Sequence, residues 1–369
     1  MVVVFVDDLA ISAPTEELVD ALVARLKKKG FDLTKEDSLS EFLGIKINFN
    51  PDDGSYELTQ RGLIDKVLAT AGMENCNPNF VPAAQVALGS DPEGAPFKES
   101  WLYSSVVGML MYLATNSRPD IAFAVSQVAR FNHSPKQSHG TAVKMILRYL
   151  AGTKDKGTIM KPDGTLQLNL YVDADFAGLY KREPDEDPTS VKSRAGFIIT
   201  LGNCPLVWRS FLLQEIVLST AESEYCALST AMRTLLPLQR LLIDVATFLD
   251  LGHELRTSAV HSTVFEDNAA ALILATKQRI SSRTKHQLIK WHWFWSHVLK
   301  DGEEPPSNDD EAIDLDNISG DNELDVKLPP TKPTVRVVKI DTHFQRADGY
   351  TKGLVREIFE HNRKLNQGW

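Results

Sequence analysis

Four acidic residues in the second half of the chain have types and surroundings that could serve chemistry. They are Asp173, Glu224, Asp267 and Asp348. Carboxylates that are brought together repel one another and lose water, so a fold normally gathers them around a compensating cation. Divalent cations held by carboxylates are a standard device for hydrolysing phosphodiesters. The pattern therefore predicts a metal-dependent hydrolytic centre, on condition that the four side chains converge.

Two of these acids have local settings that distinguish them from surface residues. Asp173 lies on the polar face of an alternating strand, and Asp175 shares that face and competes for the same role. Glu224 follows a capping box in which Ser219 is the N-cap and Glu222 the third helical residue. Glu224 is about 200° further round the helix than Glu222, so it should face the sheet.

The other two acids have structural alternatives of similar weight. Asp267 follows a strand and precedes a helix, so it could be a helix N-cap or a functional residue at a strand's carboxyl end. Asp348 could be a loop acid, the cap of the last helix or a ligand. Each signal is weak alone, and the prediction depends on all four occurring in this order.

The first 160 residues predict a hairpin, a strand pair and several helices. A tight corner at Asp7-Asp8 closes the hairpin, and the Pro- and Ala-rich stretch 77–100 is typical of a linker. The predicted elements are a hairpin at 2–12, helices at 16–30 and 61–72, strands at 42–50 and 56–58, and helices at 102–115, 119–131 and 137–151.

From Leu166 onward the apolar pattern changes to a period of two, which predicts strands followed by alternating helices and strands. The helix after residue 220 should break near Pro237. The predicted elements are strands at 166–175, 195–201, 205–209, 214–218, 262–266 and 336–341, and helices at 220–248, 268–276 and 353–365.

The composition is that of a soluble globular protein with an acidic insertion. The net charge is −9, but residues 301–325 hold 11 acids and no Lys or Arg, so the remainder is nearly neutral and compatible with a polyanionic partner. We expect residues 301–335 to be disordered. Three scattered cysteines indicate a reducing compartment, and the N-terminus has no basic region typical of a signal peptide.

Several spaced motifs of the second half resemble the ribonuclease H domain of copia-type LTR retrotransposon polyproteins. The matching stretches are YVDADFAG (171–178), KSRAGFII (192–199), STAESEYCALS (219–229), FEDNAAALILA (265–275), SRTKHQLIKWH (282–292) and ADGYTKGL (347–354). Asp173, favoured over Asp175 by the family register, falls with the other three acids on the nuclease's metal-binding carboxylates. The resemblance implies two Mg²⁺ ions, with Mn²⁺ as an alternative, and an RNA–DNA hybrid as substrate.

The first half resembles the end of the same element's reverse transcriptase. FVDDLAIS (5–12) is similar to the two-aspartate polymerase hairpin, and Asp7 and Asp8 fall on two of its three metal-binding aspartates. Because the family's third aspartate lies upstream of this hairpin, we expect no polymerase activity from this chain alone. The implied identity is a fragment of a Pol polyprotein, and its partners would include the other polymerase and integrase parts.

The resemblance implies an α+β or α/β fold in three parts. Residues 1–76 would be a truncated palm and thumb, residues 77–160 a helical connection, and residues 161–369 a ribonuclease H-like mixed five-stranded sheet with flanking helices and the acidic insertion. The basic stretch with Arg283, Lys285 and His286 is a candidate nucleic-acid contact.

We expect an intracellular protein, in a cytoplasmic particle or the nucleus, that is neither secreted nor membrane-bound. The alternative to the hydrolase hypothesis is an inert remnant or a partial gene model that at most binds nucleic acid.

Overall fold

The computed structural model of the chain describes residues 1–36, 38–277, 292–303 and 333–369. The described strands form a two-stranded hairpin, a four-stranded sheet and a five-stranded sheet, which confirms the predicted mixture of helices and strands. No helix in these ranges is both long enough and apolar enough to cross a membrane. The prediction of disorder for 301–335 falls largely outside these ranges, except that Val335 belongs to a strand and not to the insertion.

The N-terminal hairpin consists of β1 (Val2–Phe5) and β2 (Asp8–Ile11), paired antiparallel. Phe5 pairs with Asp8, so the turn is formed by Val6 and Asp7, and the predicted corner at Asp7-Asp8 was wrong by one residue. Val6 has a φ of 51°, because a two-residue hairpin turn that matches the strand twist requires positive φ. Both aspartates are exposed.

The four-stranded sheet joins residues that are far apart in sequence. Its fourth strand pairs with Ser55–Thr59, although three residues are too few to show a period in the sequence. The elements of this part are α1 (Glu16–Lys28), β3 (Glu41–Phe42), β4 (Ile45–Asn50), β5 (Ser55–Thr59), α2 (Arg61–Thr70) and β6 (Thr158–Met160).

The helical region has its own hydrophobic core. The predicted helices are present as α3 (Tyr103–Asn116), α4 (Ala122–Ala129) and α5 (Gln137–Ala151), with a 3₁₀ turn at Pro119–Ile121 before α4. Segment 77–100 has no helix or strand but is anchored to its surroundings. The backbone N–H of Leu88, for example, donates to Gln127 Oε1 at 2.7 Å.

The five-stranded sheet has the order β11-β10-β7-β8-β9 and is mixed. Strands β7, β8 and β9 pair antiparallel, whereas β10 lies parallel to both β7 and β11. The strands are β7 (Leu168–Asp175), β8 (Arg194–Leu201), β9 (Cys204–Leu212), β10 (Ser262–Glu266) and β11 (Val335–Lys339).

Helices cover both faces of this sheet. One face, with Leu170 and Val172, forms a core with the long helix after β9, and the other face, with Tyr171 and Ile198, carries a short C-terminal helix. The helices are α6 (Thr220–Phe248), α7 (His253–Val260), α8 (Ala269–Lys277), α9 (Asp348–Thr351) and α10 (Arg356–Gln367).

Two predictions for this part were wrong. Residues 214–218 form no strand: Val217 packs into the core beneath the sheet, whereas Ile216 and Leu218 are exposed, and no backbone pairing forms there. Helix α6 continues through Pro237 without a break. Pro237 is exposed, so its ring disturbs only the solvent side of the helix.

Candidate metal centre

The parallel pairing of β7 and β10 places two of the acids side by side. Phe265 pairs with Tyr171, and their rings stack at 4.5 Å on one face of the sheet. Two residues further on, Asp173 lies within β7 and Asp267 is the first residue after the end of β10. Because parallel strands advance in step, the two carboxylates lie level at the carboxyl ends of the strands.

Helix α6 brings the third acid to the same place. The predicted cap is present: Ser219 Oγ accepts from the Glu222 N–H at 3.2 Å, and the Glu222 carboxylate accepts from the Leu218 N–H at 2.8 Å. Glu224 is therefore directed at the sheet and is buried. Carboxylate oxygens of Asp173, Glu224 and Asp267 all lie within 4.8 Å of one another.

The cap of helix α8 is Asn268, not Asp267. Asn268 Oδ1 accepts from the backbone N–H groups of Ala270 at 2.9 Å and Ala271 at 3.1 Å. Asp267 is thus free to face the other carboxylates, and its Oδ2 accepts from the Thr342 hydroxyl at 3.0 Å.

Asp348 lies beside this group but is not part of it. It is buried at the start of α9 and interacts electrostatically with Asp173. Its Oδ1 is ion-paired with Lys352 Nζ at 2.8 Å. The Thr351 hydroxyl donates to Asp173 Oδ2. Three of the predicted acids therefore converge tightly, and the fourth lies next to them and is ion-paired with Lys352.

Asp175, the rival of Asp173, is directed elsewhere. It is half-buried at the end of β7 and lines a separate cavity with Lys192 and Arg194. The carboxylate cluster of Asp173, Glu224 and Asp267 therefore excludes Asp175.

The cluster is electrostatically costly without a cation. Burial raises the pKa of Asp173 to about 7, a rise that Lys352 opposes and Asp348 reinforces. Burial, followed by the charge of Asp173, raises the pKa of Glu224 to about 11. Glu224 Oε2 is buried with no hydrogen-bond partner among the described residues. An orphaned carboxylate oxygen beside two further acids is a donor set that fits a divalent cation.

Sequence reasoning missed Glu266, which is fully buried at the end of β10. Its Oε1 accepts from the Asn268 N–H at 3.0 Å, while Oε2 has no partner in the described part of the chain. Burial raises the pKa of this carboxyl to about 8. An acid two residues after the core residue Val264, on the apolar face of a strand, was the signal that could have identified it.

The remaining candidates lie away from this group. Asp7 and Asp8 are exposed on the hairpin, and the described ranges contain no cluster of three or more potential metal ligands around them. The predicted nucleic-acid contacts Arg283, Lys285 and His286 fall outside the described residues.

Comparison with known proteins identifies the family. The family model described as reverse transcriptase (RNA-dependent DNA polymerase) matches residues 1–85. The chain is 31% identical, over 97% of its length, to the retrovirus-related Pol polyprotein from transposon RE1 of Arabidopsis thaliana. It is 29% identical, over 99% of its length, to that from transposon TNT 1-94 of Nicotiana tabacum. The chain belongs to the copia-type retrotransposon Pol family.

The match to these Pol polyproteins is partial on their side. The chain spans 21% of the RE1 polyprotein and 24% of the TNT 1-94 polyprotein. A shorter relative, secreted RxLR effector protein 161 of Plasmopara viticola, is 39% identical over 35% of this chain and 85% of its own length. No solved structure matches the chain.

Proposed function

We propose that this member of the copia-type Pol family is a metal-dependent ribonuclease that hydrolyses the RNA strand of RNA–DNA hybrids. The observation that carries the proposal is the group of Asp173, Glu224 and Asp267 oxygens within 4.8 Å at the ends of two parallel strands. In this proposal residues 161–369 are a ribonuclease H-like part, which follows a palm and thumb (1–76) and a helical connection (77–160).

The donor set suits Mg²⁺, because its ligands are hard carboxylate oxygens. Asp173, Glu224, Asp267 and Asp348 would hold the metal, which supplies activation of water and neutralisation of charge on the phosphodiester. The chain's own residues orient this set. Thr351 donates a hydrogen bond to one oxygen of Asp173, and Lys352 is ion-paired with Asp348. Recognition of the hybrid would depend on groove shape and 2′-hydroxyl contacts.

The test is cleavage of a hybrid with a labelled RNA strand by the full chain in Mg²⁺. Asp173→Asn should reduce the rate by more than about 100-fold, because it removes a charged metal ligand without changing side-chain volume. Asp175→Asn tests the rival position on β7 and should not abolish cleavage. Glu222→Gln, at the cap of α6, is the matched control and should leave cleavage within a few-fold of the parent.

Metal-dependent cleavage by Asp173→Asn at the parent's rate would refute the assignment. Loss of cleavage in Asp175→Asn alone would show that the ligand is two residues further along β7. Folding of each variant is checked by circular dichroism, and chelation of the metal must abolish the parent's activity.

The competing function is an inert module that binds hybrids without cutting them. The observation that favours it is the Lys352–Asp348 ion pair, since an ammonium group already neutralises part of the carboxylate charge. In that case the parent binds hybrids but cleaves none at any Mg²⁺ or Mn²⁺ concentration.

A further inference from the structure

A cavity of about 60 Å³ lies next to the carboxylate cluster, between the end of β7, helix α4 and segment 85–87. Three cations line it, Lys192, Arg194 and Lys352, and Asp175 is the one carboxylate among its described lining residues. A water molecule needs roughly 10–15 Å³ of such space, so the cavity has room for a group of several heavy atoms. Its charge favours an anion.

Arg194 lines this cavity and lacks a full set of hydrogen-bond partners among the described residues. It is 4% exposed, and its Nη1 donates to Ser126 Oγ at 2.9 Å and to Ser210 Oγ at 3.3 Å. The Phe123 ring lies 5.4 Å from its guanidinium carbon. Nη2 is buried without a hydrogen-bond partner among the described residues.

A buried guanidinium that bonds only neutral hydroxyls is costly to fold. Burial lowers the pKa of Arg194 to about 9, which reflects that cost. An anion seated in the cavity would satisfy Nη2 and neutralise the charge. The planar guanidinium fork is especially suited to phosphate oxygens.

The cavity is accessible from the surface. Lys192 and Lys352 are partly exposed, with 44% of the Lys352 side chain open to solvent. Thr351 and Lys352 line the cavity and also contact the acids. The Thr351 hydroxyl donates to Asp173, and Lys352 is ion-paired with Asp348. A phosphate in the cavity would therefore lie close to the carboxylates.

We propose that this cavity binds a backbone phosphate of a nucleic-acid strand. The neighbouring phosphodiester of the same strand would then lie at the carboxylate cluster. The inference rests on the proposed function for the identity of the polymer. The bound phosphate would set the position of the strand relative to Asp173.

The test measures binding of an RNA–DNA hybrid by the full chain without divalent metal, over a series of salt concentrations. Lys192→Gln, at the rim, and Arg194→Gln should each weaken binding about tenfold, and each should reduce the log–log salt slope by about 1, since one phosphate contact is lost. Lys46→Gln is the control: Lys46 is an exposed lysine on β4 outside the cavity, and its loss should change neither quantity.

A second arm uses inorganic phosphate against chloride at equal ionic strength and follows thermal unfolding. Phosphate should raise the Tm of the parent and of Lys46→Gln, but not of Arg194→Gln. Stabilisation by phosphate with unchanged hybrid binding in both cavity variants would overturn the nucleic-acid assignment. Binding losses equal to those of Lys46→Gln would overturn it as well. If the cavity variants bind the hybrid more weakly than the parent, and the parent cleaves no hybrid, the phosphate site is supported and the nuclease proposal is refuted.

Discussion

At the scale of single residues, burial in the folded protein opposes ionisation of the acids in the carboxylate cluster. Asp173, Glu224 and Glu266 all have raised pKa values, with burial as the first cause in each case. A divalent cation reverses this balance, because it favours the ionised form of each ligand. The stability of the protein should therefore depend on pH and on metal in opposite senses.

We expect the metal-free protein to become less stable as pH rises from 7 to 9. Unfolded carboxyls are ionised above about pH 5, whereas folded Asp173 and Glu266 release protons near 7 and 8. In this window the folded state binds more protons, so the free energy of unfolding falls as pH rises, by about 1–3 kcal/mol from Asp173 and Glu266. Glu224, whose pKa is raised to about 11, stays protonated in the folded state and adds to the fall. Urea denaturation in a chelator measures it, and a rise in stability between pH 7 and 9 would contradict it.

Glu224→Gln should remove the stabilisation by Mg²⁺. At a metal concentration ten to one hundred times the Kd, the parent should gain about 1–3 kcal/mol. Glu224→Gln lacks a charged ligand and should gain almost nothing. Glu222→Gln lies on the same helix, retains the cap chemistry and should respond to metal like the parent. Thermal unfolding with and without Mg²⁺ separates the two variants, and equal shifts would argue against Glu224 as a ligand.

At the scale of elements, the site depends on a close approach of α9 to the sheet. A Cβ added at Gly196 on β8 would lie 2.5 Å from Tyr350 Cβ. Gly196 pairs with Asp173, and Tyr350 is two residues after Asp348. The absence of a side chain at this one position lets α9 place its acid beside β7.

Gly196→Ala should therefore displace α9, reduce stability by about 1–3 kcal/mol and lower cleavage without altering any ligand. Gly108→Ala is the control, because Gly108 is an exposed glycine within α3 with open space around its Cβ position. That change should stabilise the protein by about 0.5–1 kcal/mol and leave cleavage intact. Chemical denaturation and the hybrid assay test both, and unchanged cleavage in Gly196→Ala would show that α9 is not needed.

The sequence predicted helices and strands correctly where the spacing of apolar residues reflects burial of one or both faces of the element. The alternation at 166–175 predicted β7, because α6 and α9 bury opposite faces of that strand. The same logic failed at 214–218, since burial of Val217 there reflects a core contact without strand pairing. Strand β6 has only three residues, and its partner β5 is far away in sequence.

For the site, the sequence predicted four converging acids, of which Asp173, Glu224 and Asp267 lie together while Asp348 lies beside them. The capping box predicted the direction of Glu224. The sequence did not predict the burial of Glu266 or the ion pair of Lys352, because both depend on which elements pack together. Nor could it decide whether Asp267 caps α8 or has a functional role; the structure gives the cap to Asn268. That choice depends on which side chain reaches the Ala270 and Ala271 N–H groups.

At the scale of the whole molecule, the C-terminal helix α10 connects the helical region to the site. Phe359 on α10 belongs to the core of α2, α3 and α5, and its ring meets that of Tyr149 edge-on at 5.6 Å. Gln367 Nε2 donates to Asp120 Oδ1 at 3.2 Å, and Asp120 is the buried partner of Arg118. Helix α9 precedes α10 directly, so this docking also holds Asp348.

A fragment of residues 161–369 should consequently be much less stable than the full chain. It would expose the apolar face of α10 and leave Gln367 without Asp120, although it retains every carboxylate of the site. We expect a lower Tm and self-association, measured by thermal unfolding and size-exclusion chromatography. A monomeric fragment with the Tm of the full chain would show that the helical region contributes nothing to the site's stability.

The level alignment of Asp173 and Asp267 determines where the chain can change length. Their spacing is set by backbone pairing between β7 and β10, so adding or deleting one residue inside either strand would turn a carboxylate to the opposite face. The segments that connect the elements are under no such constraint. Variation in length should therefore accumulate between the ligand-bearing elements and be excluded from within them.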